Sequence, residues 1–174
     1  MILTVGHSTH PIEEFLGLIE AHGVRQIVDI RTIPKSRRNP QFNSEDLRES
    51  LAAREIEYVH LAALGGLRHP RHDSINTAWQ NDSFRGYADY MQTPEFDRGV
   101  QELIALAENR PTAIMCAEAV PWRCHRSLVA DALTARGVAV EHIMSKTSRK
   151  PHSYTPFARI DGPRVTYPGL INQV

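Results

Sequence analysis

The sequence predicts an α/β fold: an open, mostly parallel, doubly wound sheet of about five strands flanked by helices. Two observations carry this expectation. The short apolar runs "ILTV", "RQIVDI", "IEYVHL", "TAIMCA" and "VAVEHI" read as strands. Between them stand segments whose apolar residues recur at the spacing of one helix face, and strands alternating with amphipathic helices at such intervals make βαβ units.

The elements run in this order along the chain. After "ILTV", Ile12, Phe15, Leu16 and Ile19 fall at i, i+3, i+4 and i+7, with Thr9 as the expected cap, Pro11 in the first turn and Gly23 as the stop. "RQIVDI" is the second strand. Ser44 is expected to cap a helix carrying Leu47 and Leu51, and "IEYVHL" supplies a third strand. Residues 61–82 show no period and read as a long binding or lid loop. "TPEFDRGVQELIALAENR" has a cap, a proline and acids in its first turn, and Phe96, Val100, Leu103, Ile104 and Ala107 form its apolar face. The fourth strand, "TAIMCA", leads into "WRCHRSLVADALTARG", read as a helix beginning near Pro121 and stopping at Gly137, and "VAVEHI" is the fifth strand.

The 174 residues suit one well-filled core, and a single domain is expected over 1–174. From Ser145 the composition turns to Ser, Pro and basic residues. Residues 145–174 read as an irregular extension with a small hairpin around Asp161 and Gly162. Twenty basic residues balance twenty acidic ones, so global charge favours neither nucleic acid nor membrane. The opening "MILTVGHS" has no basic region followed by an apolar core, and no apolar run approaches the roughly 20 residues of a spanning helix. A cytoplasmic protein with reduced cysteines is expected.

In a sheet of this kind, ligands bind outside the carboxyl ends of the strands. The strands end at "GHSTH", "DIRTIPKSRRNPQFN", "LAALGG" and "CAEAVPWRCHR", which places His7, Asp29, Arg31, Lys35, Arg37, Gly65, Gly66, Cys116, Glu118, His125 and Arg126 at one edge. Loops are polar in any protein, but these residue types are not generic loop fillers.

Several ordered motifs, "TVGHS", "VDIRTIPKSRRNPQFN", "LGG", "FRGYADYM" and "CAEAVPWRCHR", together span almost the whole chain. In them the sequence resembles DUF488, an uncharacterised conserved family. The resemblance implies a shared fold and site and leaves the chemistry open.

Chemistry must therefore come from the residues. A helix starting at Pro121 would succeed Val120, which offers no capping side chain, and its free N–H groups would suit phosphate, sulfate or carboxylate. On that helix Leu128, Val129, Ala132 and Leu133 define the buried face, His125 and Arg126 look toward the strand ends, and Arg123 points to solvent. Cys116, beside this terminus and the arginines, is a candidate nucleophile with a depressed pKa, as in phosphatase and rhodanese loops. The stretch from Cys116 to Arg123 is one residue longer than the phosphatase spacing. The alternative is a packed strand-end cysteine. Cys116, Cys124 and His125 are an alternative zinc set for a hydrolase-like site, although short CxxC pairs are missing. Glu118 is a candidate general base, or else a partner of Arg31 or Arg126 in a buried ion pair.

Arg31, Lys35, Arg37 and Arg38 stand without an acid between Asp29 and Glu45, and Lys146, Arg149 and Lys150 precede Tyr154 and Phe157. Both stretches, with Arg68 and Arg71, are expected to line one positive face. The expected function is an enzyme, a Cys- or carboxylate-dependent hydrolase or transferase acting on a phosphorylated or nucleotide-like substrate. In it His7, Asp29, Cys116 and Glu118 move protons or attack; Arg31, Lys35, Arg37, Gly65, Gly66, His125 and Arg126 hold the anion. The other reading is a nucleic-acid-binding protein whose cysteines and histidines are structural. No cofactor is required by the sequence.

Overall fold

The structure, a computed structural model, describes residues 1–169; residues 170–174 of the expected extension lie outside them. The five apolar runs form β1 (Ile2–Gly6), β2 (Gln26–Asp29), β3 (Glu57–His60), β4 (Thr112–Cys116) and β5 (Val140–Ser145). These five are parallel, and β6 (Ser148–Pro151) adds an antiparallel edge, giving the order β3-β2-β4-β1-β5-β6. β1, β2 and β4 are buried along their whole lengths, as strands covered on both faces must be.

Two apolar layers cover the sheet. Phe15, Leu16 and Ile19 of α1 (Ile12–Ala21) and Leu47 and Leu51 of α2 (Ser44–Ala52) pack with Leu3, Val5, Ala113 and Met115 on one face. The other face carries α3 (Asp82–Tyr90), α4 (Pro94–Asn109) and α5 (Arg126–Ala135), with Ile2, Ile114 and Cys116 pointing into that layer. The alternation along β4 thus aims Cys116 at the layer containing α5.

Gly23 (φ 72°) and Gly137 (φ 81°) end α1 and α5 in the left-handed region, as expected of glycine stops. The caps differ from expectation at two helices. Pro11, not Thr9, is the N-cap of α1, and no side chain caps it. Ser44 is the first residue of α2 behind Asn43, whose side-chain oxygen accepts instead from the Ser36 N–H at 2.7 Å. Thr93 does cap α4, accepting from the Phe96 N–H.

Three further findings revise the expected elements. The helix read from Pro121 is two pieces, a 3-10 turn at Pro121–Arg123 and α5 from Arg126, separated by Cys124 in extended backbone (φ −134°, ψ 149°). The aperiodic stretch leads into α3, capped by Asn81 through the N–H groups of Ser83 and Phe84. The C-terminal extension opens as β6 rather than irregular chain, and β7 (Arg159–Asp161) and β8 (Arg164–Thr166) form the expected hairpin around Gly162.

The hairpin returns the chain to α5. Asp131, buried on that helix, accepts from Tyr167 Oη at 2.7 Å, Thr155 Oγ1 at 2.8 Å and His152 Nε2 at 2.7 Å. His152 is bonded in turn to His142, and His142 to Thr4. This polar relay fastens residues 152–167 to β1, β5 and α5. Among the described residues, no helix is long and apolar enough to cross a membrane.

Candidate functional site

β1 and β4 are neighbours, yet the helix after β1 lies on one face of the sheet and the helix after β4 on the other. That reversal leaves a crevice at their carboxyl ends, the general ligand position in open α/β sheets. A cleft of about 790 Å³ occupies it. The chain after β1 and the chain after β4 stay paired there, the His7 N–H donating to Cys116 O and the Ser8 N–H to Ala117 O, both at 2.9 Å. Ser8 (φ 49°) and Leu67 (φ 59°), two non-glycine residues held in the left-handed region, both line the cleft. Such local strain concentrates at functional sites.

Gly6 makes this approach feasible. A Cβ there would lie 1.6 Å from Glu118 O and 2.6 Å from Arg126 Nη1, so only a residue without a side chain fits. Gly6→Ala should force the β4–α5 connection outward and destabilise the fold by about 3 kcal/mol, the cost of an overpacked interior. Urea unfolding of the variant measures it.

Beneath the cleft lies Arg126, fully buried on the first turn of α5. Its Nη1 donates to Cys116 Sγ at 3.1 Å and to Glu118 O at 2.8 Å, and its Nη2 to Ala119 O at 3.1 Å. Among the described residues no carboxylate pairs with it, and its Nε has no partner. A desolvated guanidinium needs a counter-charge, and Cys116 is the group beside it able to become one. Burial pushes the Cys116 thiol up. The neighbouring Cys124 thiol, the charge of Arg126 and the backbone contact at Glu118 outweigh that, and its pKa falls below the ordinary thiol value. Cys124 is pushed well above that value by burial and by the neighbouring Cys116. One of the two free cysteines is thus prepared to ionise and its neighbour to stay protonated.

The second cluster descends from β2. Arg31 grips Asp29 through Nε (2.9 Å to Oδ1) and Nη2 (2.7 Å to Oδ2), and Nη2 also donates to Phe42 O at 2.8 Å. Tyr58 Oη donates to Asp29 Oδ2 at 2.6 Å. Asp29 is fully buried behind Arg31 and does not line the cleft; it positions the arginine rather than meeting a ligand. Arg31 Nη1 lies 3.4 Å from Nε2 of His7, whose ring stacks on Phe42 at 4.3 Å. With Nδ1–H donating to Ser8 O at 2.8 Å, Nε2 is the unprotonated nitrogen. Burial, assisted by the Arg31 charge, lowers the His7 pKa to about 4. At neutral pH this imidazole is an uncharged proton acceptor.

His125 behaves similarly. Its Nε2 bonds Ile30 O at 2.9 Å, its Nδ1 faces Cys124 Sγ at 3.5 Å, and burial lowers its pKa to about 4. Gly66 lets the loop after β3 come within reach of that ring, where a Cβ would meet Nδ1 at 3.2 Å. A Cβ on Gly65 would stand 2.5 Å from Thr32 Oγ1. Gly65 is therefore a packing residue behind the cleft, and Gly66 part of its wall.

His7, Arg31, Lys35, Gly66, Cys116, Glu118 and His125 all line the cleft, and Arg126 supports its floor; Asp29, Gly65 and Arg37 do not line it. Glu118 makes no ion pair among the described residues; its backbone carbonyl, not its carboxylate, meets Arg126. Lys35 and the exposed Arg38 and Arg123 supply positive charge at the walls. The other basic residues go elsewhere. Arg68 lies 3.6 Å from the Tyr90 ring centroid and Arg71 pairs with Asp73. Lys146 and Arg149 stand beside Ala21 and His22 at the end of α1, with Arg149 bound to Glu141. Lys146 and Arg149 therefore do not share the cleft, because the turn after β5 carries them away from it. Among the described residues no three His, Cys, Asp or Glu side chains are placed to hold a metal ion, so the set Cys116, Cys124 and His125 is not assembled as a zinc site.

Sequence reasoning missed Tyr58, Phe42 and the wall formed by Asn81, Ser83, Phe84 and Tyr87. The segment "FRGYADYM" was the available signal for the wall.

Residues 11–133 match a family model described as "Domain of unknown function DUF488". No curated protein and no solved structure matches the chain.

Proposed function

The chain belongs to the DUF488 family, and from that premise we propose that it is an enzyme using the Cys116 thiolate as nucleophile on an anionic, phosphorylated or nucleotide-like substrate. The observation that carries this reading is the pairing of Cys116 Sγ with the fully buried Arg126 guanidinium, which has no carboxylate partner among the described residues. Lys35, Arg38 and Arg123 hold the substrate's negative groups at the walls. Cys116 attacks the electrophilic centre, and the leaving group departs toward the open mouth. His7, neutral at Nε2, and the exposed Glu118 carboxylate, both lining the cleft, take the proton from the water that releases the enzyme-bound group.

The experiment is a panel of phosphomonoesters, nucleoside phosphates and acyl phosphates presented to wild type, Cys116→Ser and Glu118→Gln. Turnover should fall by at least about a hundredfold in Cys116→Ser while calorimetric binding of the same anion persists. A second reading rests on Trp122, the residue before Arg123 of the cleft wall, 58% exposed with Lys150 Nζ 5.9 Å from its ring centroid: a stacking platform for single-stranded nucleic acid. That reading predicts salt-dependent retention of oligonucleotides, weakened by Arg38→Ala and Arg123→Ala and indifferent to Cys116→Ser.

A further inference from the structure

We propose that Cys116 and Cys124 form a redox-active dithiol that reacts with hydroperoxides and closes to an intramolecular disulfide, with Cys124 as the resolving thiol and His125 as its base. The inference rests on the thiolate reading of Cys116 and gives the same floor a second chemistry.

The geometry is specific. Arg126 contacts both sulfurs, its Nη1 donating to Cys116 Sγ at 3.1 Å and its backbone N–H to Cys124 Sγ at 3.5 Å. Both thiols line the cleft, and each bears on the other's ionisation. On its other side Cys124 Sγ lies 3.5 Å from His125 Nδ1, which carries the lone pair because Nε2–H donates to Ile30 O. The resolving sulfur thus shares Arg126 with the attacking sulfur and has a proton acceptor beside it. Cys124 has extended backbone, which a helix continuous from Pro121 would not have at residue 124. The joining chain, with Ala117, Glu118 and Ala119 exposed, is a surface connection rather than a packed element.

The steps balance. The Cys116 thiolate attacks one oxygen of the hydroperoxide, the O–O bond breaks, and the alkoxide or hydroxide leaves; sulfur is oxidised to the sulfenic acid and the peroxide reduced. Cys124 then gives its proton to His125 Nδ1 and attacks Sγ of Cys116. The S–O bond breaks, and the departing hydroxide takes the proton as water. An external dithiol reverses the change by exchange.

The test treats the reduced full chain with hydrogen peroxide and maps both cysteine peptides by mass spectrometry, alongside iodoacetamide labelling of untreated protein. Wild type should yield a Cys116–Cys124 cross-linked peptide that dithiothreitol removes. Cys124→Ser, and Cys124→Ala as a second variant, should instead accumulate sulfenic acid trapped by dimedone and then sulfinic acid at Cys116. His125→Asn should slow disulfide closure by about tenfold or more without slowing dimedone capture at Cys116. Cys116 that alkylates rapidly and proceeds to sulfinic acid in wild type, leaving Cys124 a free thiol, overturns the inference and leaves the nucleophile reading standing. Cys116 inert to both reagents overturns both.

Discussion

Replacing Arg126 with methionine should slow alkylation of Cys116 at neutral pH by at least about tenfold, since each unit of rise in a thiol pKa removes about nine-tenths of its thiolate. Methionine keeps the apolar stem of the side chain, while the charge and three donated hydrogen bonds disappear. With Arg126 gone, burial is the dominant influence on Cys116 and acts in the opposite direction. The thiol then reprotonates, which limits the cost to the fold. The loss, about 2 kcal/mol, comes from the carbonyls of Glu118 and Ala119 that no longer receive charged donors. Arg126→Lys separates charge from geometry: an ammonium restores the field but cannot donate to sulfur and two carbonyls as a planar fork. Intermediate reactivity is expected, read by peptide-resolved labelling beside urea unfolding.

Acid should weaken the fold well above the pH at which carboxylates titrate. His7 and His125 have pKa values near 4 and His142 near 3, each lowered first by burial from an ordinary value of 6.5. The unfolded chain therefore binds more protons than the folded one between about pH 6.5 and pH 4, and stability rises with pH across that window. Their contribution is fully present above 6.5 and is lost as pH falls through the folded values. After allowance for solvent screening, each histidine accounts for about 2 kcal/mol between pH 7 and 4.5, and three together approach the whole stability of an ordinary domain. His142 is bound on both sides, to Thr4 at 2.6 Å and His152 at 2.9 Å, so protonation there also breaks the relay to Asp131 and frees the C-terminal segment. His7→Asn, which keeps a donor near Ser8 O without a titrating ring, should flatten its share of the pH dependence. Equal urea midpoints at pH 7 and 4.5 in wild type would contradict this linkage.

Much of this architecture was legible in the residues. The apolar runs marked all five parallel strands, and the segments at their carboxyl ends carry His7, Arg31, Cys116, Glu118 and Arg126, which a parallel sheet necessarily gathers at one edge. The features that escaped did so for physical reasons. In α3 the five residues Gly86 to Tyr90 are all buried, Asp89 because it accepts from Ser74, Asn76 and the Arg71 N–H; a helix covered on several sides has no apolar stripe to read. The edge strand β6, "SRKP", is exposed along its whole length and shows the basic residues and proline of a protected edge, not alternation. The helix start was misplaced because Pro121 suits a 3-10 turn as well as an α-helix, and nothing local marks Cys124 as the break. The burial of Arg126 could not be seen either, since its partners, a sulfur and two backbone carbonyls, leave no charge pattern.

The central claim, a Cys116 thiolate held by Arg126 at the floor of an anion cleft, is tested most directly by the pH dependence of iodoacetamide labelling at Cys116, with and without inorganic phosphate. Half-maximal labelling is expected at a pH below that of a free thiol, with a rate at neutral pH at least about tenfold above that of Cys124, and slowing by phosphate as it occupies the cleft. Labelling of Cys116 that waits for unfolding at every pH, unaffected by phosphate, would contradict it.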